Sequence, residues 1–438
     1  MPAVTPIYAR PVEILQTLIR FDTTNPPGNE RVCIAFINGL LREAGIETTI
    51  LARDDNRPNL IARLPGRGVA PPLLLYGHVD VVSTHDQPWT RDPFGGELVE
   101  GWVWGRGALD MKSGVAMMLA AFLRASAEGV PLPGDVILAV VSDEEVNGDW
   151  GSRFLVEEHP GLFEGVRYAI GEFGGYPLYV HGRKFYTITV GEKQTCSLIA
   201  TARGEGGHAA LPARGGAMGK LGRFLAALDA HRLPVHITPP VREMIEAIAG
   251  HLPLAESAAF RRLLDPAQTD AALESLGEWS RDFDALLHNT VNATVVRGGT
   301  QVNVLPSEIT VELDARILPG LTPDDLFGEL YEVAGRELDV QIDVYDPGPG
   351  EADMGLFETL ADILREADPG GVPVPYILCG VTDARFFQRL GIQTYGFLPM
   401  NLPDGVDIWR TVHNADERVP ASAIAFGAEA IFRALQRF

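Results

Sequence analysis

The sequence predicts an α/β protein whose mostly parallel sheet is interrupted by an inserted α+β domain. Three observations predict it. "PLLLYGHVD" and "GDVILAVVSDEE" are continuous apolar runs ending in polar residues, as strands buried on both faces of a sheet are. Helical patterns alternate with them, which favours parallel pairing. Near residue 186 the pattern changes to alternating apolar and polar residues, the mark of half-exposed antiparallel strands, and α/β character resumes after "PGPGEAD". Residues 1–186 and 351–438 are therefore expected to form one domain and residues 187–350 the insertion.

Taken in order, "PVEILQTLIR" carries Val12, Leu15, Leu18 and Ile19 as a helical stripe, which "DTTNPPGNE" breaks. A second helical pattern runs to Ala44 and meets Gly45, a C-terminal cap. "NLIARLPG" and "PLLLYGHVD" read as strands, and "SGVAMMLAAFLRASAEG" as a helix. "GDVILAVVSDEE" is a buried strand ending in acids, and "VRYAIGEFGG" repeats that form: a short strand, an acid, then glycines. In the insertion, "FYTITVGEKQTCSLIATARG" reads as strands and "ARGGAMGKLGRFLAALDA" as a helix. Helical sequence runs from about Pro239 to Leu287, and "NATVVRGGTQVNVLPSEITVELDARILPG" returns to strands. A helix from Pro323 and the strand "DVQIDVYD" follow; "LFETLADILREA" then opens the second α/β segment.

At 438 residues the chain is long enough for two or three domains, and 46% hydrophobic with 21% charged residues fits a globular protein. Its apolar runs, such as Val136–Val141, are too short to span a bilayer, so no membrane partner is expected. "MPAVTPIYAR" lacks the basic and apolar regions of a signal peptide. Cys33, Cys196 and Cys379 are odd in number and far apart, which argues against a disulfide framework and for a cytoplasmic location. A net charge of −22 argues against nucleic acid. Carboxylates concentrated at one site would instead take a cation.

"GRGALDMKSG" superficially resembles a phosphate loop, but Arg106 and Met111 stand where that motif needs glycine. His78 and Asp80 are two apart at a strand end and so point the same way, which suits a metal-ligating histidine steered by a carboxylate; a solvated turn is the plain alternative. Asp143, Glu144 and Glu145 are either a solvated run or a cation site in which one acid binds metal while its neighbour serves as base. Glu172 adds an acid at the next strand end, and His413 in "WRTVHNADE" returns to the α/β domain. Together His78, Asp110, Glu145, Glu172 and His413 give two histidines, three carboxylates and no thiolate, which suits a pair of borderline metals such as zinc. Asp110, flanked by glycines, is the natural bridge, because paired ions about 3.5–4 Å apart fit the two oxygens of one carboxylate. The other histidines, His85, His159, His181, His231, His236, His251 and His288, have no comparable setting, and His208 reads as a loop residue.

The chain resembles the zinc exopeptidases and deacylases that include glutamate carboxypeptidase, aminoacylase, acetylornithine deacetylase and succinyl-diaminopimelate desuccinylase. The resemblance rests on the order and spacing of "YGHVDVV", "PFGGELVEGWVWGRGALDMKSG", "SDEEVNG", "GEFGG", "GGHAALP", "VNVLP", "LDARILPG", "GVTDARFF" and "VHNADE". It implies a di-zinc catalytic domain and an inserted lid or dimerisation domain. It implies a first ion (Zn2+, with Co2+ or Mn2+ as substitutes) on His78, Asp110 and Glu172, and a second on Asp110, Glu145 and His413. Asp80 would then support His78, Glu144 would be the general base, and the Asp110–Met111 peptide would be cis. His208 would act at the active site of a partner subunit in a homodimer, and Asn303 and Arg316 would grip the substrate, Arg316 with a fork suited to a carboxylate. Two departures stand out: alanines follow His208 where many members carry serines, and the helical stretch 239–287 exceeds that of compact members.

The implied activity is hydrolysis of an amide in a small peptide or N-acyl amino acid by metal-activated water. Carboxypeptidase and deacetylase or desuccinylase readings share this chemistry. A non-catalytic binding protein on the same fold and a nucleotide enzyme using the Gly105–Gly114 loop are the readings from other classes.

Overall fold

In the computed structural model the described residues are 5–212, 214–348 and 350–438. The first residues of the amino-terminal stretch, Ala213 at the head of a predicted helix and Pro349 in the Pro/Gly break lie outside them. The chain divides into two compact units. One comprises Met1–Val190, Asp353–Tyr376 and Thr382–Phe438; the other comprises Gly191–Ala352 and Ile377–Val381.

The first unit is built on a nine-stranded sheet. Its centre runs Val136–Val141, Leu73–His78, Tyr168–Gly171, Gln393–Gly396, all parallel. Asn59–Leu64 and Thr48–Leu51 extend one side antiparallel, and Arg183–Glu192 pairs antiparallel on the other. Parallel pairing is thus concentrated where both faces are covered, as apolar strands require. Leu74, Tyr76, Ile137 and Ala139 pack on one face against Phe154, Phe163 and Phe387. The helix Lys112–Ala127 covers the other, burying Val115, Met118, Leu119 and Phe122; each large apolar side chain so buried contributes about 1.5–3 kcal/mol. Gly77 permits the close approach: a Cβ there would lie 2.6 Å from Met111 Cε and 3.1 Å from Val115 Cγ2.

A small sheet places the carboxyl-terminal motif. Arg418–Pro420 pairs antiparallel with Trp102–Trp104, which pairs with Glu97–Val99. That pairing lays residues just before 418 along the loop that follows Trp104.

The second unit has a four-stranded antiparallel sheet in the order Thr290–Arg297, Glu308–Ile317, Gln194–Arg203, Asp339–Asp346. Gln194–Arg203 alternates buried and half-buried residues, as its sequence predicts, and helices Ala217–Ala230 and Pro323–Ala334 supply Leu221, Phe224, Leu326 and Leu330 to the core. Arg183–Glu192, expected as a half-exposed strand of the insertion, is instead almost wholly buried and belongs largely to the nine-stranded sheet. The segment 239–287 forms four α-helices, Pro239–His251, Leu254–Arg262, Thr269–Ser275 and Ser280–Leu287.

Candidate metal centre

Residues distant in sequence meet because neighbouring parallel strands end on one edge of the sheet. His78 ends Leu73–His78, Glu144 and Glu145 follow Val136–Val141, and Glu172 follows Tyr168–Gly171. Asp110 precedes the helix Lys112–Ala127 through a cis Asp110–Met111 peptide, as the resemblance implies. His413 follows the short helix Ile408–Thr411 with φ of 63°. Asp143 and Phe173 also have left-handed backbones, at φ 70° and 52°. For such residues this conformation is costly and gathers at functional sites.

Asp110 divides its two oxygens. Oδ1 lies 3.2 Å from His78 Nε2, and Oδ2 lies 3.2 Å from His413 Nε2. Glu172 Oε2 is 3.4 Å from His78 Nε2, and Glu145 Oε2 is 3.1 Å from His413 Nε2. Two groups result, His78–Asp110–Glu172 and Asp110–Glu145–His413, the atoms of each within 4.8 Å of one another. They share Asp110. Glu144 stands beside them, its Oε2 3.9 Å from His78 Nε2.

Asp80 braces both histidine and acids. His78 Nδ1 lies 3.0 Å from the Asp80 carbonyl and 3.4 Å from its carboxylate, which leaves Nε2 turned to the cluster. The Asp80 carboxylate also accepts the backbone N–H groups of Glu144 (3.2 Å) and Glu145 (3.1 Å) and the side chain of Asn25 (2.9 Å). Asp143, the first of the three acids, turns away: it pairs with Arg57 at 2.9 Å and accepts from Asn25 and the Trp150 amide. The run is therefore neither solvated nor uniform in role.

Three side chains of this site had no role assigned from sequence. Glu417, fully buried, accepts from the amides of Gly107 (3.1 Å), Leu109 (2.6 Å) and Asp110 (3.1 Å) and from Arg106 Nη1 (2.8 Å). It stands four residues after His413, so one carboxylate ties the Asp110 loop to the His413 segment. Asn25 links Asp80 to Asp143. Asp383, in "GVTDARFF", accepts from Ser152 at 2.8 Å, and burial pushes its carboxyl up to about 6. The signal for Glu417 was its place in "VHNADE"; nothing in the neighbourhood of Asn25 distinguishes it from an ordinary turn residue.

The phosphate-loop alternative fails on geometry. Lys112 is buried and donates to the Phe21 carbonyl at 2.8 Å, and Arg106 is committed to Glu417.

The cluster's electrostatics call for positive charge. Burial, with Asp110 beside it, pushes Glu145 up to about 7; burial does the same to Glu172, against the pull of His78. Burial and the Glu172 charge hold Glu144 well above the usual carboxylate range. Hydrogen bonds with Asp110 and Glu145 raise His413 to about 10. Burial disfavours a charge on His78, but Glu172 and Asp110 outweigh it and raise its pKa. Burial likewise opposes ionisation of Asp110, but the two histidines hold it below the usual range. Oε1 of Glu172 and Oε1 of Glu145 are buried with no hydrogen-bond donor among the described residues. Buried carboxylate oxygens without donors are costly. Five nitrogen and oxygen ligands in two groups sharing one carboxylate fit a pair of divalent cations.

The remaining predicted residues lie in the second unit. His208 and Asn303 are exposed neighbours: His208 pairs with Val304 in a two-stranded bridge, and the Asn303 carbonyl accepts the Ala209 amide at 3.0 Å. Arg316 forms a fork with Asp314 (2.7 and 3.0 Å) and donates to Thr195 at 3.0 Å. Of the histidines set aside, His236 and His288 pair with Glu329 and Asp284. Among the described residues no helix is long and apolar enough to cross a membrane.

Residues 74–437 match the model of peptidase family M20/M25/M40. The succinyl-diaminopimelate desuccinylase of Cereibacter sphaeroides is 28% identical over 94% of this chain and 95% of its own. The N-fatty-acyl-amino acid synthase/hydrolase PM20D1 of Xenopus tropicalis is 26% identical over 81% of this chain and 70% of its own. Among solved structures, an M20 family metallo-carboxypeptidase from Sulfolobus solfataricus shares the fold with a TM-score of 0.69 at 16% identity, covering 99% of each chain.

Proposed function

Because the chain belongs to peptidase family M20/M25/M40, we propose that it is a two-metal hydrolase that cleaves the amide bond of a small carboxylate-bearing substrate, a peptide's C-terminal residue or an N-acyl amino acid. The observation that carries this reading is Asp110, whose two oxygens face two separate ligand groups with Glu144 alongside.

In this reading His78, Asp110 and Glu172 hold one ion, and Asp110, Glu145 and His413 the other. The nitrogen and oxygen donors, without thiolate, favour Zn2+, with Co2+ or Mn2+ able to substitute. When bound, such a pair lowers the pKa of water toward neutrality and polarises the substrate carbonyl. Asp80 keeps His78 in the tautomer that leaves Nε2 free. Glu144 takes the proton of the attacking water and delivers it to the leaving amine. Glu144 belongs to neither ligand group yet lies beside them, its Oε2 3.9 Å from His78 Nε2, which suits a proton carrier rather than a ligand.

The roles implied for the second unit belong to the same proposal. His208 stabilises the oxyanion, and Asn303 and Arg316 hold the substrate carboxylate. The fork that Arg316 makes with Asp314 supports its fitness for a carboxylate. The His208 role carries with it a homodimer. The buried thiols of Cys33 and Cys196, not joined in a disulfide, favour a cytoplasmic enzyme.

The test is amine release from a panel of dipeptides and N-acyl amino acids by metal-reconstituted protein, before and after chelation. Turnover that vanishes with the metals and returns with them supports the reading. A chain that binds two ions yet hydrolyses nothing in the panel is the binding protein of the rival reading.

A further inference from the structure

The strand Glu308–Ile317 presents two rows of side chains. Ile309, Val311, Leu313, Ala315 and Ile317 are buried in the core of the second unit. Thr310, Glu312, Asp314 and Arg316 form the opposite, half-buried row. Within that row Asp314 and Arg316 are two residues apart and so share a face. Thr195 of Gln194–Arg203 stands directly across from Arg316 on one side, and Thr290 of Thr290–Arg297 on the other.

The Arg316 guanidinium is held from two directions. Nε and Nη2 donate to Asp314 Oδ1 and Oδ2 at 2.7 and 3.0 Å, a complete side-on fork, and Nη1 donates to Thr195 Oγ1 at 3.0 Å. A guanidinium carries five N–H groups, one on Nε and two on each terminal nitrogen. Three are used, so one remains on Nη1 and one on Nη2, and among the described residues neither has an acceptor. Lys193, which reaches Thr290, is used up. Its ammonium has three N–H groups, and Nζ donates to the Ala285 and His288 carbonyls and to Thr290 Oγ1. Of these two cations only Arg316 has donors to spare.

Stability does not account for the arrangement. The Arg316 and Asp314 side chains are 26% and 43% exposed, and ion pairs open to water to that degree add little to folding. For binding, a fixed guanidinium matters more. An arginine loses rotamer freedom when it closes on a ligand, and one that is already immobilised gains about two- to tenfold in affinity. The Asp314 carboxylate does not block such a ligand, because the remaining N–H groups lie outside the fork it occupies.

We infer that Asp314 is a positioning residue: together with Thr195 it fixes Arg316 so that the free N–H groups of both terminal nitrogens receive the substrate's carboxylate. This rests on the hydrolase reading above, in which Arg316 grips that carboxylate. Asp314 then sets the aim of the guanidinium, and with it the preference for a charged substrate over its neutral counterpart.

The test uses the full, metal-loaded chain with the fastest substrate of the dipeptide and N-acyl amino acid panel and with the carboxamide of that substrate, cleavage of the same amide being followed by chromatography. The ratio of the two kcat/KM values measures carboxylate recognition. Arg316→Ala should lower that ratio by about tenfold or more. Asp314→Ala and Asp314→Asn should lower it by about two- to tenfold, through KM for the carboxylate, with kcat and the carboxamide rate little changed. Neither should lower it further when combined with Arg316→Ala. If the Asp314 variants do not fold, Thr195→Val decides, with a fall in the same ratio expected. A ratio unchanged or raised in the folded variants, or a loss shared equally by both substrates, overturns the positioning role and leaves the Arg316 reading standing. A ratio unchanged in Arg316→Ala removes Arg316 from carboxylate binding and the positioning role with it. No turnover of any panel member, with two ions bound, overturns the hydrolase reading itself.

Discussion

Glu417 Oε1 accepts the backbone amide of Asp110 at 3.1 Å. The same carboxylate takes the amides of Gly107 and Leu109 and the Arg106 guanidinium, and it lies four residues beyond His413. Two ligands of the second group, more than three hundred residues apart in sequence, are thus held by one buried side chain. Glu417→Gln keeps the volume but sets an NH2 group against the N–H donors. It should weaken the second ion by about ten- to a hundredfold. Competition with a chelating indicator measures this; unchanged affinity for both ions would deny Glu417 its positioning role.

Glu144→Gln should retain both ions and lose about 10²–10⁴ in kcat. Elemental analysis and single-substrate kinetics on the same sample separate the two effects. A variant that keeps near wild-type turnover would remove Glu144 from the proton shuttle.

His413→Ala should lower the metal content of the loaded chain from two ions to one. His413 is half exposed, so its removal leaves little buried surface unfilled and should not unfold the unit. Full occupancy by elemental analysis would refute its place as a ligand.

Metal uptake should strengthen as pH rises. Without cations His413 keeps its proton up to about 10, and Glu145 and Glu172 keep theirs up to about 7. Each must give up that proton to bind, so protons compete with the ions below these values. Affinity should therefore climb with pH up to about 10, most steeply below about 7, and proton release on binding should be larger below about 7, where the two glutamates are still protonated. Calorimetry in buffers of different ionisation enthalpy counts those protons. Release that is absent, or larger at the higher pH, would contradict the description of the cluster.

Much of this centre was legible because sheet geometry makes it so. His78, Glu144, Glu145 and Glu172 close apolar runs, and adjacent parallel strands must end together. Asp110 was legible through its glycines and His413 only through its motif. Asp143 read as one more acid of a run, because its partner Arg57 lies in a distant loop. Asn25 and Glu417 act chiefly through backbone amides and a distant side chain, and such partners leave no periodicity in sequence. The strand Arg183–Glu192 was read as half exposed because its polar residues Thr187 and Thr189 alternate with apolar ones; both are buried with their hydroxyls bonded to main-chain carbonyls.

The account stands on Asp110 joining two cations. X-ray absorption or anomalous diffraction on the metal-loaded chain measures this directly. The expected result is two ions about 3.5–4 Å apart, one on each side of the Asp110 carboxylate, and the loss of both in Asp110→Ala. A single ion, or a pair not spanned by that carboxylate, would contradict it.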